Sequence, residues 1–243
     1  MDYKVIAVCL GAALLSGFIH GSLGMGFGMI SMAALTLFLP YNNAAAIVSA
    51  ALLALVLQVS ISLRKYIDWP NIIVPALTHL LGKILGIILL MHLQSAFLRI
   101  ALGGFLVFYS AMQLMNVKAL KIKGTPLQAA IISGLGGLFG GVFNVSGPFA
   151  SIFCQARYGD DPKAYAANMN LSFVPAAIAA VIIHIGYGNF SVSAYIGSGI
   201  MVLGALASTA LGISVLKKIN AEILRRVSYV YIILMGLVIC VSG

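Results

Sequence analysis

The chain has 243 residues, of which 62% are hydrophobic and 8% are charged, and its formal net charge is +9. A soluble domain carries about 25% charged residues, so this composition excludes a soluble globular protein. The basic charge would suggest nucleic acid as a partner of a soluble protein, but here most Lys and Arg residues lie in short loops between apolar runs, as in cytoplasmic loops of membrane proteins. We therefore expect the lipid bilayer as the partner, and no nucleic acid.

The first half of the chain predicts a broken helix followed by three membrane spans. The two limbs of the broken helix, 4–19 and 25–39, are each about 25 Å long if helical, which is short for the ~30 Å hydrocarbon layer. His20, Gly24, Gly26 and Gly28 lie at the break. The predicted spans that follow are 43–63, 70–92 and 95–116.

The second half of the chain repeats this order. A second broken helix, with limbs 126–141 and 145–157, is interrupted around Asn144, Ser146, Gly147 and Pro148. The predicted spans 163–185, 190–214 and 221–242 follow it.

Several positions match between the halves, which indicates a duplication. The matches are Gly17 and Gly21 with Gly137 and Gly141, Ala46 with Ala166, Leu81-Gly82 with Leu203-Gly204, and Leu98-Arg99 with Leu224-Arg225. We therefore predict an all-α polytopic membrane protein of two repeats, 1–117 and 118–243, each with a broken or re-entrant helix pair and three transmembrane helices.

The basic loops predict the orientation of these repeats. Each full span reverses the side of the membrane, and each broken pair returns the chain to the side it left. The loops around 64, 120 and 218 then lie on one side, which the positive-inside rule makes cytoplasmic. The first broken pair opens from the external face and the second from the cytoplasmic face, so the two halves are inverted.

The two breaks predict a binding site. Paired interruptions in the two halves of a membrane protein indicate a transporter's site, because irregular backbone at membrane depth is tolerated only where it is buried or lines a cavity. Limbs that restart near Gly28 and Pro148 would direct their positive N-terminal ends at the interior, and two such ends form an anion site. The alternative is that the glycines only allow close helix packing.

Polar side chains inside the predicted spans are the candidate contacts. Lys83 lies near the middle of its span, where a charge costs about 2.5–3.5 kcal/mol and by default marks a pathway; snorkelling to the interface is the alternative. His20 is a candidate for proton coupling, and equally a histidine bonded to freed backbone. For the asparagines the alternative is helix–helix bonding. The predicted substrate-binding residues are Lys83, His79, Gly24, Gly26, Gly28, Asn144, Ser146, Gly147, Asn168 and Asn170.

Several classes of function are disfavoured. The acidic residues all lie in predicted loops or near the termini, so no carboxylate is available inside the membrane to hold a cation. The three cysteines are scattered, and no catalytic motif is present, so we expect no metal, no cofactor and no enzyme. The acidic residues are Asp2, Asp68, Asp160, Asp161 and Glu222, and the cysteines are Cys9, Cys154 and Cys240.

The two glycine-rich motifs, Gly17 to Gly28 and Gly134 to Pro148, together with the segment Leu81 to Gly86, resemble those of the TauE/SafE family of sulfite and organosulfonate transporters. The similar layout covers nearly the whole chain. The resemblance implies a multi-pass bacterial inner-membrane carrier for small sulfur-containing anions such as sulfite, thiosulfate or organosulfonates. Where the family often has more glycines, this chain reads Asn144-Val-Ser-Gly-Pro148, which leaves the substrate open.

The predicted mechanism is alternating access between inverted repeats around a site near the middle of the membrane. Two other classes stay open, a channel for small anions and a non-transporting membrane subunit of a larger complex. The sequence does not predict the oligomeric state or the direction of transport.

Overall fold

The computed structural model describes residues 3–115, 125–216 and 220–242, and in these ranges it contains α-helices, a single 3-10 turn at Arg64–Tyr66 and no strand. This confirms the all-α prediction. The helices are α1 (Tyr3–Leu23), α2 (Phe27–Leu35), α3 (Tyr41–Ser62), α4 (Trp69–His92), α5 (Ser95–Leu114), α6 (Pro126–Phe143), α7 (Gly147–Tyr158), α8 (Pro162–Gly186), α9 (Val192–Val215) and α10 (Ala221–Ser242).

Eight of the described helices are long and apolar enough to cross a membrane: all except α2 and α7. The first limb of each break is therefore longer than predicted, with 21 residues in α1 and 18 in α6, and the second limbs are short, with 9 and 12 residues. The sequence prediction ended the first limb at residue 19 because glycines follow. Gly21 instead lies inside α1 and packs against the backbone of Thr209, as small residues do in membrane helices.

Residues with positive φ form the two breaks. Gly24 and Gly26, between α1 and α2, have φ of 78° and 116°, and Asn144, after α6, has φ of 56°. Glycine adopts this left-handed region without steric cost, and asparagine is among the few other residues that visit it routinely. Each first limb thus ends where the sequence supplies such a residue.

The most extensive helix contacts join the two halves of the chain. Helix α4 packs along α6, α1 along α9, α5 along α10 and α3 along α8, and α4 contacts α8 as α3 contacts α9. The pairs follow one symmetry, in which each helix of the first half corresponds to the helix five places later, as α1 to α6. Under this exchange the α4–α6 pair becomes the α9–α1 pair, the α4–α8 pair becomes the α9–α3 pair, and the other two pairs are unchanged. Each half therefore packs mainly against the other.

Glycine contacts define which residues of the two halves are equivalent. A Cβ at Gly141 on α6 would lie 2.5 Å from the carbonyl oxygen of Lys83 on α4, and a Cβ at Gly21 on α1 would overlap the carbonyl oxygen of Thr209 on α9. With Gly21 and Gly141 matched as the sequence predicts, Lys83 and Thr209 occupy equivalent places in α4 and α9.

This equivalence differs by one helical turn from the sequence match of Gly82 with Gly204. If Lys83 is equivalent to Thr209, then Gly82 is equivalent to Ser208 and not to Gly204. Leucine and glycine are so frequent in this chain that a two-residue match does not fix the register. Close backbone contacts do fix it, because only small residues fit there.

Many charged helix ends lie on one side of the protein, which we call the basic face. Lys163 of α8 donates to the hydroxyl of Tyr66 at 3.3 Å, and Tyr158 of α7 donates to Asp68 at 3.1 Å. The described basic residues of this face are Arg64, Lys65, Arg157, Lys163, Arg225 and Arg226. The loops predicted around 120 and 218, and the predicted repeat boundary at 117/118, lie outside the described residues.

Candidate functional site

The two breaks meet inside the protein. A Cβ at Gly28, in the first turn of α2, would overlap the carbonyl oxygen of Asn144 in the other break, and a Cβ at Gly147 would lie 3.2 Å from the Cβ of Met25. Between the breaks lies a cavity of about 20 Å³, which we call the central cavity. This volume has room for about one water molecule.

The central cavity lies at the N-terminal ends of α2 and α7. Neither N-cap residue, Gly26 or Ser146, bonds the first turn of its helix through a side chain, so N–H groups of these turns carry the positive partial charge of the helix ends towards the cavity. The lining residues are His20, Met25, Gly26, Phe27, Gly28, Met29, Leu52, Asn144, Val145, Ser146, Gly147 and Phe173.

Asn144 is held by the helices α3 and α4. Its amide donates to the carbonyl oxygen of Ala45 at 3.0 Å, and its Oδ1 accepts from Ser49 at 3.1 Å and from Lys83 at 2.9 Å. The side chain is buried, so these bonds are protected from water. They fix the position of the residue that lines the cavity.

Lys83 lies behind Asn144 and does not line the central cavity. Its side chain is 2% exposed, and its amino group donates to the carbonyl oxygen of Gly140 and to Asn144. It therefore does not snorkel to the interface. In the described ranges no carboxylate pairs with it, since the ion pairs there join Arg157 to Asp68 and Arg226 to Glu222.

His79, like Lys83, does not line the central cavity. Its Nδ1 lies 3.2 Å from the carbonyl oxygen of Ser133, and its Nε2 lies 3.3 Å from Oγ of Ser146. A carbonyl only accepts, so Nδ1 carries the proton, and Nε2 of the neutral ring accepts from the Ser146 hydroxyl. The ring packs against Phe173, with centroids 4.8 Å apart. His79 thereby orients Ser146, which does line the cavity.

His20 lines the cavity and has partners at both ring nitrogens. Asn170 donates its amide to the carbonyl oxygens of Gly24 and Ala166, so its Oδ1 accepts from Nε2 of His20 at 2.8 Å. Nδ1 of His20 then accepts the N–H of Phe27, the first residue of α2, at 3.4 Å. This places a neutral imidazole between α8 and the start of α2.

Asn168 is not brought to the cavity. Its amide donates to the carbonyl oxygen of Tyr66 at 3.0 Å and its Oδ1 accepts from the N–H of Asp68 at 2.7 Å, so it holds a turn at the basic face. Gly24 and Asn170 adjoin the cavity through His20. No group of His, Cys, Asp or Glu in the described part of the chain could hold a metal ion.

The cavity contains apolar residues that the sequence prediction missed, namely Met25, Phe27, Met29, Leu52, Val145 and Phe173. Met25 and Val145 stand inside the two motifs and could have been found from their positions there. Leu52 and Phe173 lie in ordinary apolar spans, where no sequence signal separates them from packing residues.

A sequence model of the family described as Sulfite exporter TauE/SafE matches residues 9–239. The chain belongs to the TauE/SafE family. The match includes both breaks and every residue that lines the central cavity, and it confirms the resemblance found in the sequence. This TauE/SafE chain is a multi-pass membrane transporter, which agrees with a function other than catalysis. No curated protein and no solved structure matches the chain.

Proposed function

We propose that this TauE/SafE protein carries a small sulfur-containing anion, such as sulfite, thiosulfate or an organosulfonate, across the inner membrane. The observation that carries the proposal is the convergence of the N-terminal ends of α2 and α7 on one buried cavity. Two positive helix ends favour an anion and disfavour a cation. The described carboxylates, Asp68, Asp160, Asp161 and Glu222, all belong to helix ends and loops, outside the central cavity.

In this proposal the direct contacts to the anion come from backbone N–H groups near Gly28 and Gly147, and from Asn144 and Ser146 once their donors leave Ala45 and His79. Lys83 and His79 do not contact the anion, and they bond to Asn144 and Ser146 respectively. Lys83 positions Asn144 and supplies a positive charge that no described carboxylate neutralises. An anion in the cavity would complete the charge balance, which is a reason for a lysine at this depth.

The size of the central cavity favours alternating access over an open channel. The central cavity has room for about one water molecule, and each of these anions is larger, so the two breaks must separate to admit one. A channel would instead need a continuous pore.

The directions of the two broken pairs favour an inverted repeat. Helix α7 leads to the basic face, where Tyr158 contacts Asp68. Helix α2 leads to the start of α3, whose far end reaches the same basic face at Arg64–Tyr66. The pairs therefore open from opposite sides, and the exchange symmetry of the helix contacts agrees with this. The positive-inside rule makes the basic face cytoplasmic.

His20 is the proposed proton-coupling group. A second proton would have to bind at Nδ1, which now accepts the N–H of Phe27. Protonation would therefore release that N–H and add a positive charge at the wall of the central cavity. Both changes favour an anion there, so proton binding and anion binding would support each other.

The test is the thermal stability of the purified protein with a panel of small anions. The panel contains sulfite, thiosulfate, sulfate, several sulfonates and chloride, with amine cations as controls. A ligand that binds the native state raises the unfolding temperature by mass action. We expect a selective rise with a sulfur oxyanion or a sulfonate. A rise with amine cations and with no anion would contradict the proposal.

A further inference from the structure

Two cavities larger than the central one lie between it and the basic face. One has a volume of about 290 Å³ and the other of about 320 Å³, and both are lined by Gln113, Arg225 and Tyr229. We call the two together the vestibule. Its lining is largely polar, with Ser151 and Tyr165 among its other residues. A polar space of this size can admit a small hydrated anion.

The vestibule reaches the wall of the central cavity at Met25. This residue lines both the 290 Å³ cavity and the central cavity, and its side chain is only 8% exposed. The hydroxyl of Tyr165 contacts its sulfur at 3.8 Å. Met25 thus separates the vestibule from the cavity between the breaks.

Among the described residues, none forms a hydrogen bond or ion pair with Arg225 in the vestibule. Of the two described arginines that line this space, Arg226 contacts Glu222 at 2.6 Å, whereas Arg225 forms no hydrogen bond or ion pair with a described residue. A guanidinium that no described residue engages therefore faces this polar space.

The arginine matched with Arg225 in the other half, Arg99, is in a different environment. Its guanidinium donates to the carbonyl oxygen of Leu39, after α2, at 3.2 Å. One arginine of the matched pair is thus engaged with backbone, and the other faces an open cavity.

We propose that Arg225 is an anion-capture site, at which a tetrahedral or pyramidal oxyanion binds in the vestibule before it passes Met25 to the central cavity. This inference rests on the proposed function. A guanidinium presents two parallel N–H donors at the spacing of two oxygens of a sulfonate or sulfite group, which chloride cannot match. The amide of Gln113, which lines both cavities, can donate to the remaining oxygen.

The test compares Arg225→Gln with Arg64→Gln in vesicles, with the anion on the side of the basic face. Arg64→Gln removes the same charge from the same face, at an exposed position that does not line the vestibule. Loss of a hydrogen bond to a charged group costs about 1.5–3 kcal/mol, so we expect KM to rise about tenfold or more in Arg225→Gln. We expect an unchanged maximal rate in Arg225→Gln, unchanged KM in Arg64→Gln, and a smaller rise in KM in Arg225→Lys.

An unchanged KM in Arg225→Gln, with the wild type transporting normally, would overturn the inference and leave the proposed function intact. Absence of anion transport by the wild type would instead contradict the proposed function itself. A lipid phosphate could also bind the guanidinium of Arg225, so co-purified phospholipid is measured in each variant. Loss of bound phospholipid in Arg225→Gln without a change in KM would assign the site to a lipid headgroup and overturn the inference.

Discussion

The amino group of Lys83 donates a 2.9 Å hydrogen bond to Oδ1 of Asn144, and so connects α4 to the break between α6 and α7. The carbonyl oxygen of the same asparagine lies against Gly28, at the start of the other short helix. The lysine thus acts on both breaks through one residue.

Replacement of Lys83 by methionine should stop or strongly slow transport. The variant keeps an apolar side chain of similar length but loses the bonds to Asn144 and to the carbonyl oxygen of Gly140. A hydrogen bond from a charged group is worth about 1.5–3 kcal/mol, so we expect anion uptake into vesicles to fall about tenfold or more.

The matched control is Thr209→Val, at the equivalent position of α9, which removes one bond to the carbonyl oxygen of Gly17. We expect this variant to keep most of the uptake. Lys83→Met with wild-type uptake would refute the role assigned to the lysine.

Replacement of Gly28 by alanine should separate the breaks and destabilise the protein. The new methyl group would overlap the carbonyl oxygen of Asn144. Overpacking in a close-packed site costs typically about 1–3 kcal/mol. The control is Gly11→Ala in α1, where nothing lies within 4 Å of the new Cβ.

Both variants are measured by thermal unfolding in detergent. We expect Gly28→Ala to unfold at a lower temperature than the wild type, and Gly11→Ala to be as stable as the wild type or slightly more stable. Equal stability of the two variants would show that the breaks are not closely packed.

Replacement of His20 by glutamine should uncouple transport from protons. Glutamine can still form hydrogen bonds near Asn170 and Phe27, but it does not titrate. We expect uptake by this variant to continue without stimulation by an imposed pH gradient. The control is His92→Gln, at the exposed end of α4, which should keep the stimulation. Stimulation of equal size in His20→Gln and the wild type would remove His20 from the coupling.

Acid should weaken the contact between the turn before α4 and the end of α7. The side chain of Asn71 donates to Asp68, and the Tyr158 hydroxyl and Arg157 add to this effect, so the pKa of Asp68 lies below its ordinary value. A lowered pKa means that the stabilisation is fully present above the unfolded value of about 3.9 and is lost as pH falls through the folded value.

The measurement is the unfolding temperature between about pH 3 and pH 6. We expect Asp68→Asn to show a smaller decrease on acidification than the wild type, whereas Glu222→Gln, which lies outside this network, should follow the wild type. An equal acid response in Asp68→Asn and the wild type would contradict this assignment.

The sequence predicted the helices well because each span is an apolar run closed by polar residues. The bounds of α3 to α5 and α8 to α10 agree with the prediction to within two residues. The ends of α1 and α6 were less predictable, because a glycine can end a helix or let it pack closely, and only its neighbours in space decide which. Gly21 is of the second kind.

The site was predictable as two motifs but not as a set of contacts. Both breaks were found from glycine and polar residues in apolar surroundings, and the structure brings them together. The sequence did not predict which residues line the cavity and which lie behind them. Lys83 lies behind Asn144 because of the close packing of α4 on α6. Arg225 was singled out only as the match of Arg99, inside the predicted span 221–242, and its place in the vestibule depends on the packing of α10 against α5.

The most direct test of the account is uptake of a labelled sulfur anion by vesicles that contain the purified protein, measured with and without the same anion inside. Alternating access at a central anion site predicts saturable uptake that is accelerated by internal anion and unaffected by amine cations. Uptake that rises in proportion to concentration without saturation, or saturable uptake of amine cations alone, would contradict it.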